Sequence, residues 1–189
     1  SCVTRWCSAS CRPTRRTRRQ RLAVPVSHVA KSTGAQIPAV RSAGLTLNLR
    51  RLTRSGWVPG AAALRSWATL ALGRRAPGHE LSILVVGAAR SRSLNQRYRS
   101  RNRPTNVLSF PSATPGLGLG DLVICPQVLR REARAAGKPE RAHWMHLVIH
   151  GALHLIGYDH ERPADARRME RREVRLLRTL GVANPYRSA

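Results

Sequence analysis

Five of the seven histidines in this 189-residue sequence fall between His143 and His160. Within that stretch, His150-Gly-Ala-Leu-His154-Leu-Ile-Gly157-Tyr158-Asp159-His160 has a spacing suited to holding a metal ion. Residues four apart on a helix share a face, so His150 and His154 project together. Gly157 tolerates positive φ without a Cβ penalty and lets the backbone leave the helix. The turn it allows can swing His160 back toward the first two rings. Three imidazoles converging on one point leave the fourth position of a tetrahedral zinc ion open to water, which is the arrangement of a catalytic zinc. Zinc held in this way brings the pKa of a bound water to ~7 and polarises an oxygen of the substrate. His146 lies one turn earlier on the same face. It is read as packing or as support for a ligand, because a fourth protein ligand would close the site. His143 is a weaker candidate still.

The spacing also matches the extended metzincin motif, H-E-x-x-H-x-x-G-x-x-H, including its glycine. At the position of the glutamate that serves those proteases as general base, this chain has Gly151. Without that carboxylate a metalloprotease has no ready acceptor for the proton of its water. No other general base is evident, and the proton acceptor stays open. Asp159 and Asp121 are the nearest carboxylates in sequence that could orient a ligand histidine through its free N–H. Asp121 serves equally well as a turn residue before a strand.

The same segment, HGALHLIGYDH, resembles the signature of the YbeY endoribonucleases, the rRNA maturation factors of bacteria. Ser93-Leu-Asn95-Gln-Arg-Tyr98-Arg99, Pro104-Thr-Asn106-Val-Leu-Ser109-Phe-Pro111, Gly120-Asp121-Leu-Val-Ile-Cys125 and Gly137-Lys-Pro-Glu-Arg-Ala-His143-Trp follow in the order of that family. The resemblance runs over about residues 45–186. It implies that His150, His154 and His160 are zinc ligands and that Arg99 is the family's functional arginine, across the cleft from the metal. It also implies a compact α/β sandwich with a small mixed sheet. The implied activity is metal-dependent, single-strand-specific RNA cleavage, with one Zn2+ ion, in 16S rRNA 3′-end maturation and ribosome quality control. The implied partner is single-stranded rRNA of the small ribosomal subunit. In such an enzyme the planar fork of Arg99 would grip the scissile phosphate. A zinc metalloprotease-like hydrolase and a non-catalytic ribosome-assembly factor with a structural zinc are the alternatives. Gly151 weighs against the first, and a set of only three evident ligands against the second.

The elements that must carry these residues read as one α+β domain over residues 44–189. Leu45 to Leu49 alternates like a half-buried strand. Pro59 to Arg75 reads as a helix, Glu80 to Val86 as a strand, and Ala88 to Arg99 as a short basic helix. Thr105 to Phe110 is a strand closed by Pro111; it could form the sheet edge beside the metal and line an RNA groove, or be core strand, which is the favoured reading. A glycine-rich loop leads to a strand from Asp121 to Cys125. Helices are expected over Gln127 to Ala136, Pro139 to Ile156 and Ala164 to Leu180, the second carrying the metal ligands and ended by Gly157. Cys125 is read as a small core residue.

Charge agrees with a polyanionic partner. The chain carries 34 Lys+Arg against 9 Asp+Glu, a formal net charge of +25. The first carboxylate is Glu80; residues 1–79 hold 14 Arg and Lys31. Residues 80–189 hold the other 19 bases and all nine acids, a net of +10. Residues 1–43 show no sustained helix or strand period and resemble a transit peptide in being rich in Arg and Ser and free of acids. They are read as a disordered basic extension. Cys2, Cys7 and Cys11 lie there, with no Cys-x2-Cys pair and no fourth zinc ligand. The 42% hydrophobic content excludes wholesale disorder, and no run approaches the ~18 apolar residues of a membrane span. Four cysteines without a balanced framework point to a reducing compartment, the bacterial cytoplasm. With aromatic residues at 4%, stacking platforms are few, and recognition is expected to rest on phosphate contacts.

Overall fold

The computed structural model describes residues 44–112 and 118–187. The expectation for residues 1–43 lies outside these. Among the described residues the order is β1 (Thr46–Arg51), α1 (Ala61–Leu72), β2 (Glu80–Val85), α2 (Ala88–Arg99), β3 (Val107–Pro111), β4 (Gly120–Ile124), α3 (Pro126–Ala135), α4 (Glu140–Leu155) and α5 (Pro163–Thr179). A short 3-10 turn, Gly73–Arg75, finishes the helix that the sequence extends to Arg75. None of these helices is long and apolar enough to cross a membrane.

The strands form one mixed sheet in the order β1-β2-β4-β3. The β1-β2 and β2-β4 pairs are parallel, and β3 runs antiparallel to β4. Period-two alternation sends the side chains of each strand to two different cores. Leu81, Ile83 and Val85 of β2, Leu122 and Ile124 of β4 and Val107 of β3 face the larger cluster, with Trp67, Trp144, Ile149 and Leu153 of the helices. Leu108 and Val123, one position along, join Val86 in a second, smaller cluster against Leu94 of α2. The result is the expected α+β arrangement, a sheet with helices on both faces and α4 running through the larger core.

β3 takes the edge position, the less favoured of the two readings of this strand. Val107 and Leu108 are buried, while Ser109 and Phe110 are half-buried and Pro111 is exposed. An edge strand tolerates Pro111 because its missing N–H falls where no further strand pairs. This edge lies beside α4, so Thr105, Asn106, Val107 and Ser109 line the cleft that also holds the histidines.

Close approach of α4 to the sheet explains Gly151. A Cβ at that position would stand 2.8 Å from Leu122 Cδ2 and 3.3 Å from Ser109 Oγ. The position faces Leu122 of the sheet and Ser109 at the cleft edge, so a side chain there would have to displace the Leu122 methyl groups. Gly151→Ala should therefore cost about 1–3 kcal/mol through overpacking. Urea titration of the purified variant against the parent measures this, and an unchanged midpoint would contradict the packing account.

Candidate metal centre

The fourteenth to sixteenth residues of α4 end in a Schellman turn. Tyr158 N donates to Leu153 O at 3.1 Å and Gly157 N to His154 O at 3.1 Å. Gly157 at φ +92 supplies the left-handed residue that this motif needs. The turn returns the chain so that His160 meets His150 and His154, with ring centroids 5.6 and 4.8 Å away. One possible ligand atom from each of the three rings lies within 4.8 Å of the others.

Hydrogen bonds on the outer nitrogens orient two of the rings. His150 Nδ1 donates to Glu173 Oε1 at 2.9 Å, and His154 Nδ1 donates to the Tyr158 carbonyl at 2.9 Å. Each bond places the ring proton on Nδ1 and leaves Nε2 as a bare lone pair. The two Nε2 atoms stand 3.2 Å apart. Two ligands of a tetrahedral ion with Zn–N bonds of 2.0–2.1 Å are separated by about 3.4 Å, close to this distance. His160 Nδ1 is buried and makes no hydrogen bond among the described residues. A buried polar atom without a partner is costly, and a metal ion beside it would satisfy it. The donor set therefore fits a divalent ion of borderline softness.

Burial favours the neutral form of His154 and His160. Burial, reinforced by the neighbouring His150 and His160, lowers the His154 pKa to about 4 from 6.5. Burial also lowers the His160 pKa, with His150 and the guanidinium of Arg99 adding to the effect. Because these folded-state values lie below the unfolded value, the unfolded chain takes up the extra protons as pH falls. The stability contributed by His154 should be fully present above pH 6.5 and decline from there toward pH 4. Urea midpoints of the metal-free protein across this range measure the effect; a midpoint that rises on acidification would contradict it.

Glu173, on the buried face of α5, is the carboxylate that sequence reasoning missed. Its Oε2 accepts a hydrogen bond from His146 Nε2 at 2.8 Å and another from the Tyr186 hydroxyl. Burial alone would raise its pKa, but the hydrogen bonds from His146 and His150 outweigh burial and hold the carboxyl below the usual range. His146 is itself buried, and burial lowers its pKa. It supports the carboxylate that orients His150, in keeping with its reading as a supporting residue. The two aspartates do otherwise than expected. Asp159 Oδ1 accepts from the backbone N–H of His160 at 2.6 Å and of Glu161 at 3.3 Å, which fixes the loop rather than a ring. Asp121 is an exposed residue of β4 paired with Ser82 and Phe110 in the sheet. One signal for Glu173 was present in the sequence: Met169, Glu173, Leu176 and Leu177 make one helical stripe, and an acid within an apolar stripe needs a buried partner.

The three histidines sit in a cleft that is strongly basic. Arg99, Arg101, Arg103, Arg131 and Lys138 line it, with Glu132 as the one carboxylate among the lining residues. Buried polar side chains of α2 hold the loop that carries Arg101 and Arg103. Asn95 Nδ2 donates to Arg103 O at 2.7 Å, and Ser91 Oγ donates to Thr105 O at 2.8 Å. At the far end, Glu132 Oε2 accepts from Asn106 Nδ2 at 2.8 Å and from His143 Nε2 at 3.1 Å. His143 thus belongs to the cleft wall and not to the metal group. Cys125 is a free, buried thiol.

The family model for the endoribonuclease YbeY matches residues 62–181. The chain belongs to this family. An endoribonuclease YbeY of Alkalilimnicola ehrlichii is 54% identical over 140 residues, covering 69% of this chain and 83% of its own. That of Methylococcus capsulatus is 50% identical over 147 residues, covering 76% of this chain and 96% of its own. The solution structure of TM1509 from Thermotoga maritima shares the fold, with a TM-score of 0.51 and 22% identity over 75% of this chain and 99% of that one. In this YbeY-family chain the three histidines and Arg99 line one cleft.

Proposed function

We propose that the chain is a zinc-dependent, single-strand-specific endoribonuclease acting in 16S rRNA 3′-end maturation and ribosome quality control, in the bacterial cytoplasm. The observation that carries this reading is the convergence of His150, His154 and His160 in a cleft lined by five cationic side chains. A metalloprotease-like role loses support, because Gly151 stands where such an enzyme carries its glutamate base.

A divalent ion, when bound, supplies Lewis acidity toward a phosphoryl oxygen and a lowered pKa for water. The residues of the chain supply the rest. Glu173 and the Tyr158 carbonyl hold the His150 and His154 rings in register with their Nε2 atoms inward. Arg99 offers the scissile phosphate a planar pair of donors and counters the charge that builds on its oxygens in the transition state. Arg101, Arg103, Arg131 and Lys138 hold flanking phosphates, which makes binding sensitive to salt and largely indifferent to base sequence.

The deciding experiment incubates the purified protein, with and without a chelator, with labelled single-stranded RNA and with casein. RNA cuts that vanish with the chelator and return with zinc support the proposal. Cleavage of casein alone, or of neither, overturns it. In the same assay Arg99→Ala should lower kcat by about 10²–10³-fold while leaving the zinc content unchanged. Parental kcat in that variant would remove Arg99 from the reaction.

A further inference from the structure

Five of the six arginines of α5 form one surface that has no part in the metal centre. At 3.6 residues per turn, Arg167, Arg168, Arg171, Arg175 and Arg178 fall within an arc of roughly 100°. All five are exposed, whereas Met169, Glu173, Leu176 and Leu177 on the other side are buried. The acids Asp165 and Glu170 flank this arc rather than interrupt it. Among the described residues none of the five arginines forms an ion pair. Solvated helices ordinarily place acids and bases four apart, whereas Arg167, Arg171 and Arg175 repeat one sign at that spacing, which destabilises an isolated helix.

A polyanion would relieve this repulsion. Arginines four apart step along the axis by ~6 Å, comparable to the step between successive phosphates of one nucleic-acid strand. Guanidinium groups grip phosphate through paired donors. The arc also lacks the exposed aromatic or aliphatic anchors on which protein interfaces depend. One end of it adjoins the cleft: the Arg168 guanidinium lies 5.4 Å from the centre of the Tyr158 ring, and the carbonyl of Tyr158 holds His154.

We propose that the exposed arginine face of α5 is a second RNA contact, a sequence-independent rail for backbone phosphates that lie outside the cleft. It rests on the reading of the cleft as an RNA-cleaving site and extends the footprint beyond it.

The test uses the zinc-loaded full chain and a variant carrying Arg167→Gln, Arg171→Gln, Arg175→Gln and Arg178→Gln. Polyuridine of increasing length is bound to each at several salt concentrations, and cleavage of a short oligonucleotide that fills only the cleft is followed in parallel. The parent should gain affinity with length. The variant should lose that gain, by about tenfold or more, and its plot of log K against log salt should flatten by about 3, as expected for four phosphates at ~0.7 each. Lysine at the same four positions should restore most of the binding, because charge rather than fold is at issue. Short-oligonucleotide cleavage should be equal in parent and variant. Absence of cleavage in both would defeat the endoribonuclease reading while the binding comparison still stands. An unchanged salt slope and length dependence would overturn the rail. So would displacement of RNA from this face by poly-glutamate at equal charge concentration, which would assign the face to an acidic protein.

Discussion

His154→Ala should yield a folded protein that neither retains zinc nor cuts RNA. The alanine removes one of three nitrogens that converge at the end of α4, and two remaining imidazoles with water are a weak site. Loss of the ion withdraws several kcal/mol of transition-state stabilisation, a fall of roughly a thousandfold or more in rate. Folding should survive because His154 is only half-buried and its Nδ1 bond goes to a turn carbonyl that water can also satisfy. Metal analysis after gel filtration and cleavage of single-stranded RNA measure the two losses together. Full cleavage by the zinc-free variant would defeat the metal scheme outright. Zinc retained at the parental level with cleavage lost would show instead that His154 acts on the substrate and not as a ligand.

Glu173→Gln should have the next largest effect, although Glu173 does not line the cleft. The carboxylate accepts from His150 on one oxygen and from His146 and Tyr186 on the other. A glutamine keeps one acceptor and turns an amide N–H2 toward a histidine N–H in a fully buried place. One donor is then left facing another donor, at a cost of about 1–3 kcal/mol in stability. The His150 ring loses the partner that fixes its tautomer, and zinc affinity should fall by about 10–100-fold. Competition with a chromophoric chelator measures the affinity, and urea titration measures the stability. The two readouts separate orientation from folding. A variant that is less stable but binds zinc as the parent does would make Glu173 a core residue only.

The convergence of His150, His154 and His160 was legible in the sequence because their arrangement is local. The four-residue spacing of His150 and His154 places both on one helix face through the period of the α-helix alone, and Gly157 marks the turn because only the turn requires positive φ. The alternation in β2 and β4 was equally legible, since period two in a chain of hydrophobic residues leaves a strand little choice of face. The sequence leaves the place of β3 between two options: an edge strand and an interior strand of five residues carry the same pattern, and only the pairing order separates them.

Histidine spacing and helix period thus determined which imidazoles converge, and the missing glutamate at Gly151 already spoke against proteolysis. Only the tertiary structure decided which carboxylate meets them. Asp159 and Asp121 are near in sequence or motif, but Glu173 reaches His150 because α5 packs its apolar stripe along α4, and that contact has no local signature. Packing of α4 on the sheet supplied the reason for Gly151, which lies against Leu122. It also turned scattered arginines into a cleft wall and an outer face, because a sequence orders residues along one chain whereas a charged surface forms from several elements at once.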